Sequence, residues 1–152
     1  MTLKTQIQED VKTAMRARDQ RRLTALRLIT AAIKQVEIDQ RMDRQIGLDD
    51  QAVLAVLDKM VKQRRDSLEQ FQSAGRDDLA QQEQYELDLL AAYLPEALGD
   101  DEVSALIKLA IEATNASSIR DMGAVMNKLR VDIQGRADMK AVSSAVKAQL
   151  SV

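Results

Sequence analysis

Leu23-Thr24-Ala25-Leu26-Arg27-Leu28-Ile29-Thr30-Ala31-Ala32-Ile33-Lys34-Gln35-Val36 is the stretch that decides the fold. Leu23, Leu26, Ile29, Ile33 and Val36 recur at three- and four-residue steps, the period of a helix with one buried face. The same spacing extends in both directions. Leu3, Ile7, Val11, Ala14 and Met15 form a stripe before it, in a helix of about residues 3–18. The quoted stretch belongs to a longer helix of about residues 20–43. Val53, Leu57, Met60, Val61, Leu68 and Phe71 mark the inward face of a third helix, capped by Asp49 or Asp50 and ended near Gly75. A fourth, with Asp77 and Asp78 at its positive end, carries Leu79, Tyr85, Leu87, Leu89, Leu90 and Tyr93.

Pro95 is the only proline of the chain. It disfavours helical geometry at Leu94 and removes a donor, so the boundary falls across Leu94–Asp100. Three shorter helices follow. Gly99 and Glu102 start the first, Ser118 and Asp121 have the spacing of a capping box for the second, and Asp138 caps the last after Gly135. No alternating strand pattern and no Asn-Gly or Asp-Gly hairpin is present. The expected fold is all-α, with a four-helix N-terminal subdomain over 1–94, a linker over 95–99 and a C-terminal three-helix bundle over 100–152.

The 152 residues suffice for a real core, and 45% of them are hydrophobic. The chain has no cysteine and no histidine. Disulfides, zinc–thiolate sites and cysteine nucleophiles are thereby excluded, along with the commonest general base and metal ligand. Two tyrosines, one phenylalanine and no tryptophan leave no platform on which to stack bases. There is no GxxxxGK[ST] or GxGxxG loop, and the serines have no histidine to activate them. Glu83 and Glu86, or Asp100 and Glu102, share helical spacing without forming a persuasive catalytic pair. No catalytic residue, cofactor or metal is expected. No apolar run is long enough to span a bilayer, and Met1–Asp10 lacks the apolar core of a secretory signal, so neither a membrane nor export is expected and the chain reads as cytoplasmic.

Net charge is -2, which gives no general case for nucleic acid and none for DNA. The distribution is uneven. Residues 1–45 hold 10 basic and 6 acidic side chains, residues 46–100 hold 5 and 12, and residues 101–152 hold 7 and 6. Arg27, Lys34 and Arg41, seven apart, share one face of the second helix and could track phosphates, or form a solvated face that pairs with the acidic middle segment. Lys59, Lys62, Arg64 and Arg65 have Asp58, Asp66 and Glu69 at helical neighbour spacing, which predicts local ion pairs. In the last third, Arg136 lies in the Gly135–Asp138 turn, beside the free amides of the following helix. Lys140 projects near the same end, and Lys128 comes from the preceding helix. Arg136 and Lys140, then Lys128, are the leading anion-binding candidates, with Arg27 and Lys34 beside them. The alternatives are that Asp138 itself occupies those amides and that Arg136 ties the junction by pairing with Asp132 or Asp138.

These residues carry a resemblance. Arg22-Leu23, Ala25-Leu26-Arg27-Leu28-Ile29, Ala31-Ala32-Ile33-Lys34 and Glu37 resemble the opening block of the GatB/YqeY family. Lys62-Gln63-Arg64-Arg65-Asp66-Ser67 is similar to its second block, and Glu86-Leu87 with Tyr93-Leu94-Pro95 to its third. Asp121-Met122-Gly123, Val125-Met126 and Gly135-Arg136-Ala137-Asp138-Met139 resemble its C-terminal signature, although Ala124 stands where the family often has lysine. The blocks occur in order over nearly the whole chain, as in the stand-alone YqeY-like proteins. The resemblance implies two helical subdomains and kinship with the helical tail of the GatB subunit of the glutamine-dependent aminoacyl-tRNA amidotransferase, a tail that touches tRNA. It implies a non-catalytic module that binds tRNA or other structured RNA by shape and backbone. A second implied reading is an accessory of a carbon–nitrogen ligase with glutamine as amido donor, partnered with a translation or amidotransferase component. Apart from the resemblance, a third reading is a protein–protein module using the acidic fourth helix.

Overall fold

The computed structural model describes residues 1–42 and 46–151. Among them are seven α-helices, one short 3-10 turn and no strand. The helices fall into two compact units, Met1–Leu94 and Pro95–Val152.

The first unit contains α1 (Leu3–Arg16), α2 (Gln20–Asp39), α3 (Asp50–Ser73) and α4 (Asp77–Ala91). Local chemistry starts most of them. Thr2 accepts from the Thr5 amide, Asp19 from Arg22 and Asp49 from Ala52, each satisfying an amide the helix leaves open. Asp50 does something else: its carboxylate accepts from Leu3 N at 2.9 Å and ties the start of α1 to the start of α3. The core is the face read from periodicity, with Ile7, Leu26, Ile29, Ile33, Val53, Leu57 and Leu90 buried. Met15, placed in the stripe of α1, is instead 51% exposed, and Leu68 and Phe71 near the end of α3 are only half-buried.

Two helices end earlier than their patterns suggest. α1 stops at Arg16 and α2 at Asp39, four residues short of the expected 43, a position that lies outside the described residues. At the end of α2, Met42 N donates to Glu37 O and Arg41 N to Ile38 O, which closes the helix in a Schellman motif. Arg41 takes the left-handed position, φ 52°, and Arg18 does the same after α1 with φ 55°. Glycine normally fills this position because a Cβ costs about 1 kcal/mol or more there. An arginine in its place sends no stop signal from the sequence.

The second unit contains α5 (Asp100–Thr114), a 3-10 turn (Ile119–Asp121), α6 (Met122–Ile133) and α7 (Met139–Leu150). Ile107, Val125, Leu129, Ile133, Val142 and Val146 form its core. Glu102 accepts from Gly99 N, Asp121 from Ser117 N and Ser118 N, and Asp138 from Lys140 N. The segment before α5 is bonded to the α6–α7 turn. Leu98 N donates to Arg136 O at 2.8 Å, and Arg136 Nε donates to Glu96 O at 3.2 Å.

Candidate binding groove and charged clusters

A groove of about 670 Å³ runs along α2, with Lys4 and Gln8 of α1 on its other side. Its α2 wall carries Arg27, Thr30, Ala31, Ile33, Lys34, Glu37 and Ile38, and Arg41 and Met42 close one end. The structure thus brings Arg27 and Lys34 together with Arg41, which the Schellman turn swings into the groove although it lies beyond the helix. Among the described residues of the groove, four cations face one carboxylate, Glu37. Lys4 is neutralised by it: Nζ donates to both carboxylate oxygens, at 3.0 and 2.7 Å. This hydrogen bond from Lys4, with a further one from Leu48 N at 3.0 Å, holds the Glu37 carboxyl below the usual carboxylate range against the opposing pull of burial. Arg27, Lys34 and Arg41 are exposed, and among the described residues no carboxylate lies within ion-pair distance of them.

The acidic middle segment does not pair with this stripe. It is satisfied elsewhere. Arg64 reaches Glu83 Oε2 at 3.4 Å and Glu86 Oε2 at 3.2 Å, with the two carboxylate side chains only 11% and 12% exposed. Glu86 Oε2 is within reach of Arg64 Nε without being aligned to accept from it, so that contact is coulombic. Arg21 donates to Gln82 Oε1 at 3.3 Å and lies over the Tyr85 ring, 4.1 Å from its centre. The expected local pairing of the Lys59–Arg65 set is therefore corrected for Arg64, whose partners stand on α4. Lys62 does pair locally, with Asp58 at 3.8 Å. Tyr93, a second link that sequence reasoning missed, is buried and donates its hydroxyl to Asp10 of α1. Burial first, and this bond second, push its phenol above the ordinary tyrosine range.

In the second unit the C-terminal candidates separate. Arg136 is half-buried, with Nε engaged by the Glu96 carbonyl rather than aimed at the amides of α7. Those amides have an internal acceptor, because Asp138 takes the cap of α7. Lys128 on α6 and Lys140 at the start of α7 are exposed, and among the described residues neither side chain has a carboxylate within ion-pair distance. The described residues contain no group of three or more His, Cys, Asp or Glu side chains able to hold a metal, and no helix long and apolar enough to cross a membrane.

A family model described as "Yqey-like protein" matches residues 4–150. Relatives named "Altered inheritance of mitochondria protein 41, mitochondrial" are similar to this chain. The one from Pyrenophora tritici-repentis is 33% identical over 144 residues, covering 93% of this chain and 77% of the relative. That of Lachancea thermotolerans is 31% identical over 151 residues, covering 95% and 76%. That of Eremothecium gossypii is 43% identical over 88 residues, covering 58% of this chain and 46% of the relative. Their name places those proteins in mitochondria and overturns the cytoplasmic expectation. That expectation rested on composition and the first ten residues. A cellular address is read from separate targeting segments and is not encoded in a domain's helical periodicity or charge. With a family model running over residues 4–150 and near full-length relatives at 31% and 33% identity, this chain belongs to the YqeY-like family.

Proposed function

We propose that this chain is a non-catalytic docking module that holds structured RNA, tRNA among its candidates, by its phosphates through the second unit. The observation that carries the reading is the pair Lys128 and Lys140, exposed on helices that pack together and without carboxylate partners among the described residues. Several cations elsewhere are spent on ion pairs: Lys4, Lys12, Lys62 and Arg76 each have one and Arg64 has two. In this reading Arg136 keeps the α6–α7 junction in place and the two lysines meet the phosphates. The near absence of aromatic side chains favours recognition of backbone and shape over base stacking. We further propose that 1–94 and 100–152 behave as a four-helix subdomain and a three-helix bundle able to unfold separately. Kinship with the GatB tail supports both statements as a resemblance.

The test is filter binding of unfractionated tRNA across a salt series. Each phosphate contact contributes about 0.7–0.9 to the slope of log affinity against log salt. Lys128→Ala with Lys140→Ala is expected to lower that slope by about 1.4–1.8 while helicity is unchanged. An unchanged slope, or no retention of RNA even at low salt, defeats the reading.

A further inference from the structure

The groove of the first unit has a pattern that a phosphate track does not require. Arg27, Ala31, Lys34, Ile38 and Arg41 follow one another at steps of four, three, four and three, and all five are exposed and line the same groove. Cations and apolar groups thus alternate along a single seam. Steps of four and three are the spacing by which one helix meets another. Ile38 is the telling member. It is 59% exposed, between Lys34 and Arg41, and among the described residues nothing covers it. Phosphate oxygens set against those cations would keep water on this isoleucine, whereas an amphipathic helix would cover it.

We propose that this groove docks an acidic amphipathic helix of a protein partner. Its carboxylates, seven residues apart, would face Arg27, Lys34 and Arg41, and its apolar side chains would seat on Ala31 and Ile38. The register follows from geometry. Seven residues advance about 10.5 Å along any α-helix, so a partner lying along α2 keeps its carboxylates in step with Arg27 and Lys34. Arg41 lies past the helix end and meets the partner's last carboxylate from the closing turn. Glu37 does not oppose the approach of an acidic helix, because Lys4 already neutralises it. The proposal is independent of RNA binding by the second unit: the residues, the unit and the ligand all differ.

The experiment uses the full chain and two synthetic peptides of about three heptads. One repeats glutamate every seventh residue with leucine four positions later. The other has the same composition in shuffled order. Binding is followed by fluorescence anisotropy, and the surface is located by amide chemical-shift changes. The ordered peptide is expected to bind at least about tenfold more tightly than the shuffled one, with shifts confined to α1, α2 and the turn that closes α2. Ile38→Ser is expected to weaken it by about tenfold, as is Arg27→Glu with Lys34→Glu. All three positions are exposed, and circular dichroism checks that the variants remain folded. Equal binding of the two peptides, or an Ile38→Ser variant that binds as well as the parent, overturns the proposal. So does tRNA binding that is lost in the charge-reversed variant and untouched by Ile38→Ser, which would make the groove a polyanion site.

Discussion

Replacing Gly47 by alanine tests how the first unit is held together. Gly47 is buried at φ 62°, and an added Cβ would lie 2.5 Å from Glu37 Oε2 and 2.9 Å from Lys4 Nζ. Both atoms belong to one clasp, in which Glu37 at the end of α2 binds Lys4 of α1 and the Leu48 amide ahead of α3. Two penalties add. A side chain in the left-handed region costs about 1–2 kcal/mol. Displacing a carboxylate that accepts three hydrogen bonds, two of them from an ammonium, costs a further 1.5–3 kcal/mol or so if that network is lost, and less if it relaxes. With the network lost, the expected loss is therefore about 2.5–5 kcal/mol. Gly75 supplies the control: φ is 71°, and nothing lies within 4 Å of its Cβ position. Gly75→Ala should show only the backbone penalty. Urea unfolding followed by circular dichroism measures both variants, and again Gly47→Ala in a Glu37→Ala background. There the excess over Gly75→Ala should largely vanish, because the crowded carboxylate is gone. Equal costs at the two glycines, or an excess that persists without Glu37, would refute the reasoning.

Arg64→Met leaves Glu83 and Glu86 facing each other on α4 without their cation. Because Arg64 keeps 26% exposure, the loss in urea unfolding should be about 2–4 kcal/mol, under the range for fully buried pairs. The Glu37 carboxyl titrates below its ordinary value, so its contribution is present above pH of about 4.5 and is lost as the pH falls through the lower folded value. Glu37→Gln should accordingly flatten the acid limb of the stability curve, and an unaltered limb would contradict this. Arg136→Ala removes the side-chain bond to the Glu96 carbonyl while leaving the Leu98 N bond to residue 136, so glutamate-specific proteolysis after Glu96 should quicken several-fold. A cleavage rate equal to the parent's would mean the guanidinium does not hold that segment.

The helices were legible because their signals are local. A buried stripe is written every three or four residues, and an aspartate or threonine next to it binds the open amides. The ends were less legible. Gly75 marks its turn at φ 71°, but Arg18 and Arg41 occupy the same left-handed conformation without advertising it. There the tertiary structure outweighed a local penalty of about 1 kcal/mol. Of the candidate site residues, Arg27 and Lys34 were visible as a stripe, and Ile38 of the same seam looked like another apolar helix residue. Whether an isoleucine is covered depends on which neighbouring helix arrives there, and none does among the described residues.

Charge pairing marks the division between sequence and fold most clearly. Composition alone excluded histidine and cysteine chemistry, and the apolar period with its caps and breakers pointed to seven helices and most of their inward faces. Which cations stay free to bind was a different matter. Arg64 has acidic neighbours on its own helix yet turns to Glu83 and Glu86 on α4, Lys4 crosses to Glu37, and Arg136 reaches the carbonyl of Glu96. An exposed ion pair within one helix gains only a few tenths of a kcal/mol, whereas a half-buried carboxylate left alone costs several times that. Arg64 and Lys4 are therefore drawn to carboxylates that packing has desolvated and Arg136 to a backbone carbonyl, and only the assembled helices determine which acceptors those are.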